Sequence, residues 1–301
     1  VNWNDRLREL AGDHRSPSSV LAARASQLLC DVARDDPELF ADVARGVALT
    51  QPSMAALANV ANVALRATQA LGIASVAKAL ATLQQGLEAD RRAAAEALRD
   101  AIAALPDLPV RVVTLSASAA VVEAVHLLRD AKLLAGVVCS ESRPILEGTA
   151  LARWLVERGF DVTLVADAGL CEHLVPGSVL VVGTDAILPH AVVNKVGTRV
   201  AATWAELAGV PRYVVATRDK LLPPALASMF RNPQRPATEL LQNPPELLAV
   251  DGRAFDLTPR RVWTAIWVGR VPLASAEARG DHALAEAMKP LVEAGPEHAA
   301  P

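Results

Sequence analysis

Leu105-Pro106-Asp107-Leu108-Pro109-Val110-Arg111-Val112-Val113-Thr114 is the stretch on which the fold of this 301-residue chain turns. The two prolines cannot continue a helix, because each lacks a backbone N–H and its ring crowds the preceding turn. An apolar, β-branched run follows them at once, as a strand requires. This change of character sets a domain boundary, with residues 1–107 on one side and 108–301 on the other.

Upstream of Leu105 the sequence is dense in Ala, Leu and Arg and almost free of strand-type alternation, so an all-helical N-terminal domain is expected. Ser16-Pro17 and Asp36-Pro37 each place a capping side chain before a proline at the first helical position, which predicts two helix starts. Leu21, Ala25, Leu28 and Val32 recur at helical spacing, as do Leu39, Phe40, Val43 and Val47. Met54, Leu57, Val60 and Leu65 predict a third helix, and Ile73 to Ala103 at least one more. Such stripes read as core.

Downstream, Ala135 to Cys139, Val162 to Val165, Val179 to Val182 and Arg212 to Val215 are short apolar runs separated by helix-length segments. That alternation predicts a Rossmann-like, doubly wound α/β domain whose parallel sheet is covered on both faces. Ligands in such sheets bind beyond the C-terminal ends of the strands, so the loops there are where chemistry is to be sought.

Composition narrows the function classes. With 52% apolar and 21% charged residues the chain is expected to fold, and a net charge of -3 gives no general attraction to nucleic acid. Cys30, Cys139 and Cys171 lack the paired spacing of a zinc site or a disulfide framework, so neither a metal nor a disulfide is expected. Val1 to Leu10 has no apolar core of a secretory signal, and Val175 to Val193 is too interrupted to span a bilayer, so a cytoplasmic location away from membranes is expected. Neither GxGxxG nor GxxxxGK[ST] occurs, which removes the main support for a dinucleotide or P-loop nucleotide, and no cofactor is expected.

Three strand-end loops carry candidate chemistry. Ser140-Glu141-Ser142-Arg143-Pro144, followed by Glu147-Gly148, offers a forked cation near a helix N-terminus, which suits phosphate; a salt bridge from Arg143 to Glu141 or Glu147 fits the spacing equally. In Gly183-Thr184-Asp185-Ala186 the Asp can serve as a general base or cap a turn. Asn194 and Lys195 can hold substrate oxygens and phosphate, or Lys195 can be solvated. Ser116 and Ser118, at the turn after Thr114, can bind an anion or cap a helix. Among the histidines only His190 lies in a suspect loop.

Taken together, Glu141-Ser142-Arg143-Pro144 with Gly148, Gly183-Thr184-Asp185-Ala186, Val193-Asn194-Lys195-Val196-Gly197-Thr198, Val210-Pro211 and Phe255-Asp256-Leu257-Thr258-Pro259 resemble one superfamily. It comprises the alpha, beta and delta subunits of translation initiation factor 2B, methylthioribose-1-phosphate isomerase and ribose-1,5-bisphosphate isomerase. The resemblance runs from about Val110 to Arg270 and is weaker in the helical part, where Gln51-Pro52-Ser53-Met54 with Leu57 and Asn59 looks similar.

The resemblance implies a phosphorylated small-molecule ligand in a cleft between the two domains and a homodimer, with related subunits as further partners. It implies that Asp185 and Ser116 stand at the acid–base positions, that Asn194 and Lys195 contact substrate, and that Arg143 belongs to the phosphate region. Glu141, Ser118 and Arg15 complete the candidate binding set.

Two departures from the isomerases matter. Ser116 stands where they carry a Cys, and a hydroxyl needs a strong neighbouring base to exchange a proton near neutral pH. His14-Arg15-Ser16-Pro17-Ser18 stands where they carry an Arg-Gly-Ala loop. Two functions follow: a phosphosugar or nucleotide-phosphate binding protein, with or without an aldose–ketose isomerase activity through Asp185, or a non-catalytic regulatory subunit that senses a metabolite.

Overall fold

In the computed structural model, which describes residues 2–279 and 283–293, helices Trp3–Gly12 (α1), Ser18–Asp35 (α2), Phe40–Thr50 (α3), Ala55–Leu71 (α4) and Val76–Ala103 (α5) fill the first third of the chain. The apolar stripes close on one another. Leu21, Leu28 and Val32 of α2, Phe40, Val43 and Val47 of α3, and Leu57, Val60 and Leu65 of α4 share one buried core. Alanines at the contacts, Ala44, Ala55, Ala61 and Ala64 among them, let the helices approach closely.

The caps differ from the expectation. The Ser16 hydroxyl donates to Asp13 Oδ2 at 2.7 Å, and α2 begins after Pro17 with no side-chain cap. Asp36 accepts from the Trp3 indole N–H at 2.6 Å, and a 3-10 turn, Pro37–Leu39, precedes α3. Each capping side chain is thus taken by another partner. Helix α1 lays Trp3, Leu7 and Leu10 on the helical core, and the Trp3–Asp36 bond ties it down.

The rest of the described chain contains strands Val110–Thr114 (β1), Leu134–Ser140 (β2), Val162–Val165 (β3), Ser178–Val182 (β4), Ala186–Ile187 (β5), Ala191–Lys195 (β6), Arg212–Ala216 (β7), Phe255–Pro259 (β8), Ala265–Val268 (β9) and Val271–Pro272 (β10). Between and after them lie helices Ala119–Asp130 (α6), Glu147–Val156 (α7), Thr198–Leu207 (α8), Leu273–Arg279 (α9) and Lys289–Glu293 (α10).

Seven strands form the main sheet in the order β10-β9-β7-β4-β1-β2-β3, parallel throughout except that β10 pairs antiparallel with β9. Side chains alternate across it as the strand period requires. Val112, Val137, Val179, Val181 and Val215 pack against α5, α6 and α7, while Val113, Val138, Leu180, Val182 and Val214 pack against α8 and α9. This is the doubly wound α/β arrangement, with a mixed edge.

The chain winds outward from β1 through β2 and β3, then crosses back to β4 on the other side of β1 and continues through β7 and β9. The order therefore reverses between β1 and β4, which opens a crevice beyond their C-terminal ends. A second, antiparallel sheet, β5-β6-β8, stands over that crevice, and Ala186, Leu188, Val193 and Phe255 join the core of the N-terminal helices. Among the described residues no helix is long and apolar enough to cross a membrane.

Candidate functional site

The crevice at the β1/β4 reversal is a cleft of about 320 Å³ roofed by helical residues. Its lining joins the α1–α2 loop, α5, the turns after β1, β4 and β7, the start of α7 and the end of β6. Small-molecule sites commonly have this size and position.

At the end of β1 the backbone turns sharply and Ser116 adopts a φ of 65°, a left-handed conformation that costs a serine about 1–3 kcal/mol. Its N–H donates to Ser142 Oγ at 2.7 Å, which holds the turn, and its hydroxyl donates to Glu147 Oε1 at 3.0 Å. Glu147 opens α7, which comes close to β2 because residue 148 is glycine. A Cβ there would overlap the Ser140 carbonyl and crowd Ser142 Oγ.

At the end of β4, Gly183 has no room for a side chain against Ser118, and the chain enters the β5–β6 hairpin. Asp185 sits at the hairpin base: its N–H donates to the Val193 carbonyl at 2.8 Å, and its own carbonyl accepts from the Ala55 N–H of α4 at 3.0 Å. The main-chain groups of Asp185 thereby fix the hairpin to the helical region.

The Asp185 carboxyl lies among protein atoms with Ser18, Lys195, Lys220 and Glu147 around it. Burial pushes its pKa above the ordinary carboxylate range. Lys220, a hydrogen bond from Ser18 and Lys195 pull it down, and the Glu147 charge pushes it up again, for a net rise. Lys220 Nζ donates to Ser18 Oγ at 2.8 Å and lies 3.3 Å from Asp219 Oδ2.

Lys195, 7% exposed at its side chain, places Nζ 2.7 Å from the same Glu147 oxygen that accepts from Ser116. Asn194 donates to Thr198 Oγ1 at 3.0 Å, and the Thr198 hydroxyl donates to the Lys195 carbonyl at 2.6 Å, so β6 presents both residues rigidly.

Cations outnumber their partners in this cleft. Lys195 and Lys220 are paired, but among the described residues Arg15, Arg91 and Arg235, all in the lining, have no ion-pair partner. Arg235 is 9% exposed, and burial lowers its pKa from the arginine norm, although Glu239 and Asp185 oppose that shift. Arg235 is thus a nearly buried guanidinium in the lining, with Glu239 and Asp185 as its nearest opposing charges and no direct ion pair among the described residues.

Ser116, Ser118, Arg15, Asp185, Asn194 and Lys195 are thus brought to one cleft, whereas Arg143 and Glu141 lie outside its lining. The Arg143 N–H is bound by Asp167 at 2.8 Å, and its exposed guanidinium reaches the Leu240 carbonyl at 3.4 Å. His190 is exposed and also outside. Cys139 does not stand in for a thiol at residue 116, because it is buried in the sheet core and burial pushes its pKa up to about 12.

Sequence reasoning passed over Glu147 as a site residue, and it missed Ser18, Arg91, Lys220 and Arg235. Lys220 follows the C-terminal end of β7, so the strand-end rule applied once more would have found it. Arg235 lies between β7 and β8 among short 3-10 turns, where no local signal marks it.

The sequence pattern of the initiation factor 2 subunit family matches residues 15–267, which includes every cleft residue but His14. The chain belongs to this family. The methylthioribose-1-phosphate isomerase of Desulforudis audaxviator is 31% identical over 215 residues, 65% of this chain and 60% of that protein. The ribose 1,5-bisphosphate isomerase of Methanocaldococcus jannaschii is 31% identical over 144 residues, 45% of this chain and 46% of that one. The chain thus spans about half the length of these curated relatives. Among solved structures, the translation initiation factor eIF-2B of Pyrococcus horikoshii superposes with a TM-score of 0.76 at 23% identity, over 90% of this chain and 96% of that one, and shares the fold.

Proposed function

We propose that this family member binds a phosphorylated sugar in the β1/β4 cleft and isomerises it between aldose and ketose forms, with Asp185 as an acid–base group. The observation that carries the reading is the meeting of a carboxyl of raised pKa with three arginines that, among the described residues, make no direct ion pair, all in one cleft. A phosphate needs charge-assisted donors, and Arg15, Arg91 and Arg235 supply them. A carboxyl that keeps its proton nearer to neutral pH can give it to a sugar oxygen. Lys195 and Asn194 then orient the sugar, with Ser118 at the N-terminus of α6 as an additional donor.

The test is calorimetric titration with ribose 1,5-bisphosphate and with 5-methylthioribose 1-phosphate, followed by NMR of the incubated sugars. Saturable binding of one of them, lost on Arg235→Gln, and conversion to the ketose, lost on Asp185→Asn, are the expected results. Absence of binding by either sugar counts against the whole reading.

A second reading, a non-catalytic subunit that acts by assembly, has one observation in its favour. Val200, Trp204 and Leu207 form an exposed stripe on one face of α8, at 65%, 49% and 79% exposure. We propose that this face meets another subunit, a second copy in the simplest case. Light scattering of the purified protein is expected to give a dimer that Trp204→Glu dissociates; a wild-type monomer at micromolar concentration removes the support.

A further inference from the structure

We propose that Glu147, and not Ser116, takes the proton from the second carbon of the sugar and returns it to the first, with Asp185 as its partner. The inference rests on reading the cleft as a phosphosugar isomerase site.

The geometry around Glu147 is that of a carboxylate held by one edge. Ser116 Oγ donates to Oε1 at 3.0 Å, and Lys195 Nζ lies 2.7 Å from the same atom. Oε2 is buried and has no hydrogen-bond partner in the protein. A buried carboxylate oxygen without a donor is costly, and the residue that carries it lines the cleft.

Ser116 is unsuited to the role that its position suggests. Its hydroxyl proton points at a carboxylate, and ionising the oxygen would set two negative charges 3.0 Å apart. The left-handed turn that carries Ser116 therefore aims a donor at Glu147 and makes Ser116 a positioning residue. Lys195 holds the same oxygen from the other side, with Nζ 2.7 Å away.

The two carboxyls then have different tasks, set by different surroundings. On a sugar 1-phosphate, Asp185 gives its proton to the ring oxygen as the bond from that oxygen to the first carbon breaks. The Glu147 carboxylate takes the proton of the second carbon, and the electron pair left behind forms a carbon–carbon double bond. Glu147 then returns its proton to the first carbon, while Asp185 recovers one from the hydroxyl on the second carbon, which becomes the ketone. Both carboxyls end as they began, and no oxidant, reductant or metal enters the balance.

The experiment compares wild type, Glu147→Gln, Ser116→Ala and Asp185→Asn on ribose 1,5-bisphosphate and 5-methylthioribose 1-phosphate in D2O, with NMR for product and calorimetry for binding. Glu147→Gln is expected to bind within about threefold of wild type and to lose about 10²–10⁴-fold in kcat, the range for loss of general acid–base catalysis. Ser116→Ala is expected to lose no more than about tenfold. Wild type is expected to carry hydrogen from the second carbon to the first, with solvent deuterium entering only to the extent that the proton on Glu147 exchanges before it is returned. Ser116→Ala serves independently if Glu147→Gln fails to fold, since an active Ser116→Ala removes the hydroxyl as the base.

An inactive Ser116→Ala beside an active Glu147→Gln overturns the inference and leaves the isomerase reading standing. Binding without turnover by wild type overturns the inference while the ligand assignment survives, whereas absence of binding removes the function reading and the inference with it.

Discussion

Asp185 carries a cost to folding that depends on pH. Its folded-state pKa is raised by burial above the unfolded value near 3.9, so between those two values the folded protein binds more protons than the unfolded chain. Stability is therefore fully present below the unfolded pKa and falls as pH rises through the folded one. Asp185→Asn removes the titration, so thermal unfolding without ligand is expected to give the variant a higher Tm than wild type at pH 7.5, with the gap closing toward pH 4. A gap that is constant with pH would mean that the carboxyl is not strained by its surroundings. At this scale the sequence revealed those residues that follow strand ends, Ser116, Asp185, Asn194 and Lys195, because a strand end fixes where a loop points. It concealed their partners. Glu147 meets Ser116 across 31 positions and Lys220 meets Ser18 across 202, and such pairs exist only once the chain has folded.

Helix α8 depends on a side chain that lies 57 positions from its first turn. Asp256 Oδ2 accepts from the Gly197 N–H at 2.8 Å and from the Arg199 N–H at 3.0 Å, and so satisfies donors that a helix start leaves free. Asp256→Ala is expected to destabilise the protein by about 1–2 kcal/mol, as loss of an N-terminal cap does, measured as a shift in denaturant midpoint at unchanged slope. Gly148 tests packing between α7 and β2 in the opposite sense. Gly148→Ala puts a methyl group into the Ser140 carbonyl, and an overpacking loss of about 1–3 kcal/mol is expected along with displacement of Glu147, visible as reduced turnover. Five strands of the main sheet, β1, β2, β3, β4 and β7, were legible as short apolar runs, whereas β9 and β10, short strands at its mixed edge, were not expected. The small β5-β6-β8 sheet was not, since β5 has two residues and its partner β8 lies some sixty positions beyond β6, past a stretch of 3-10 turns. Both mistaken caps, Ser16 and Asp36, have polar side chains that found tertiary partners instead of the adjacent helix, which local spacing cannot foresee.

Across the whole molecule α5 is the strut that joins helices to sheet. Val76 and Leu80 at its start belong to the helical core, while Ala94, Leu98 and Ile102 near its end belong to the sheet core, and Arg91 between them faces the cleft. Asp90, beside Arg91, accepts from Arg218 Nε at 2.6 Å, from Nη2 at 2.7 Å and from the Arg218 N–H at 3.1 Å. That fork clamps the turn carrying Lys220, which Asn59 of α4 also holds by donating to the carbonyls of Asp219 and Leu221 at 2.7 and 2.9 Å. Ligand affinity should therefore depend on residues that no ligand touches. Asp90→Ala is expected to cost only about 1 kcal/mol of stability, because Arg218 is largely exposed and solvent screens the pair. The same change frees the Lys220 turn on one side, so phosphosugar binding is expected to weaken by about tenfold, ~1.4 kcal/mol, with the salt dependence of the remaining affinity unchanged. Unchanged affinity in the folded variant would show that Asp90 only supports the fold; weaker binding at a temperature where the variant stays folded would show that α5 sets the geometry of the cleft.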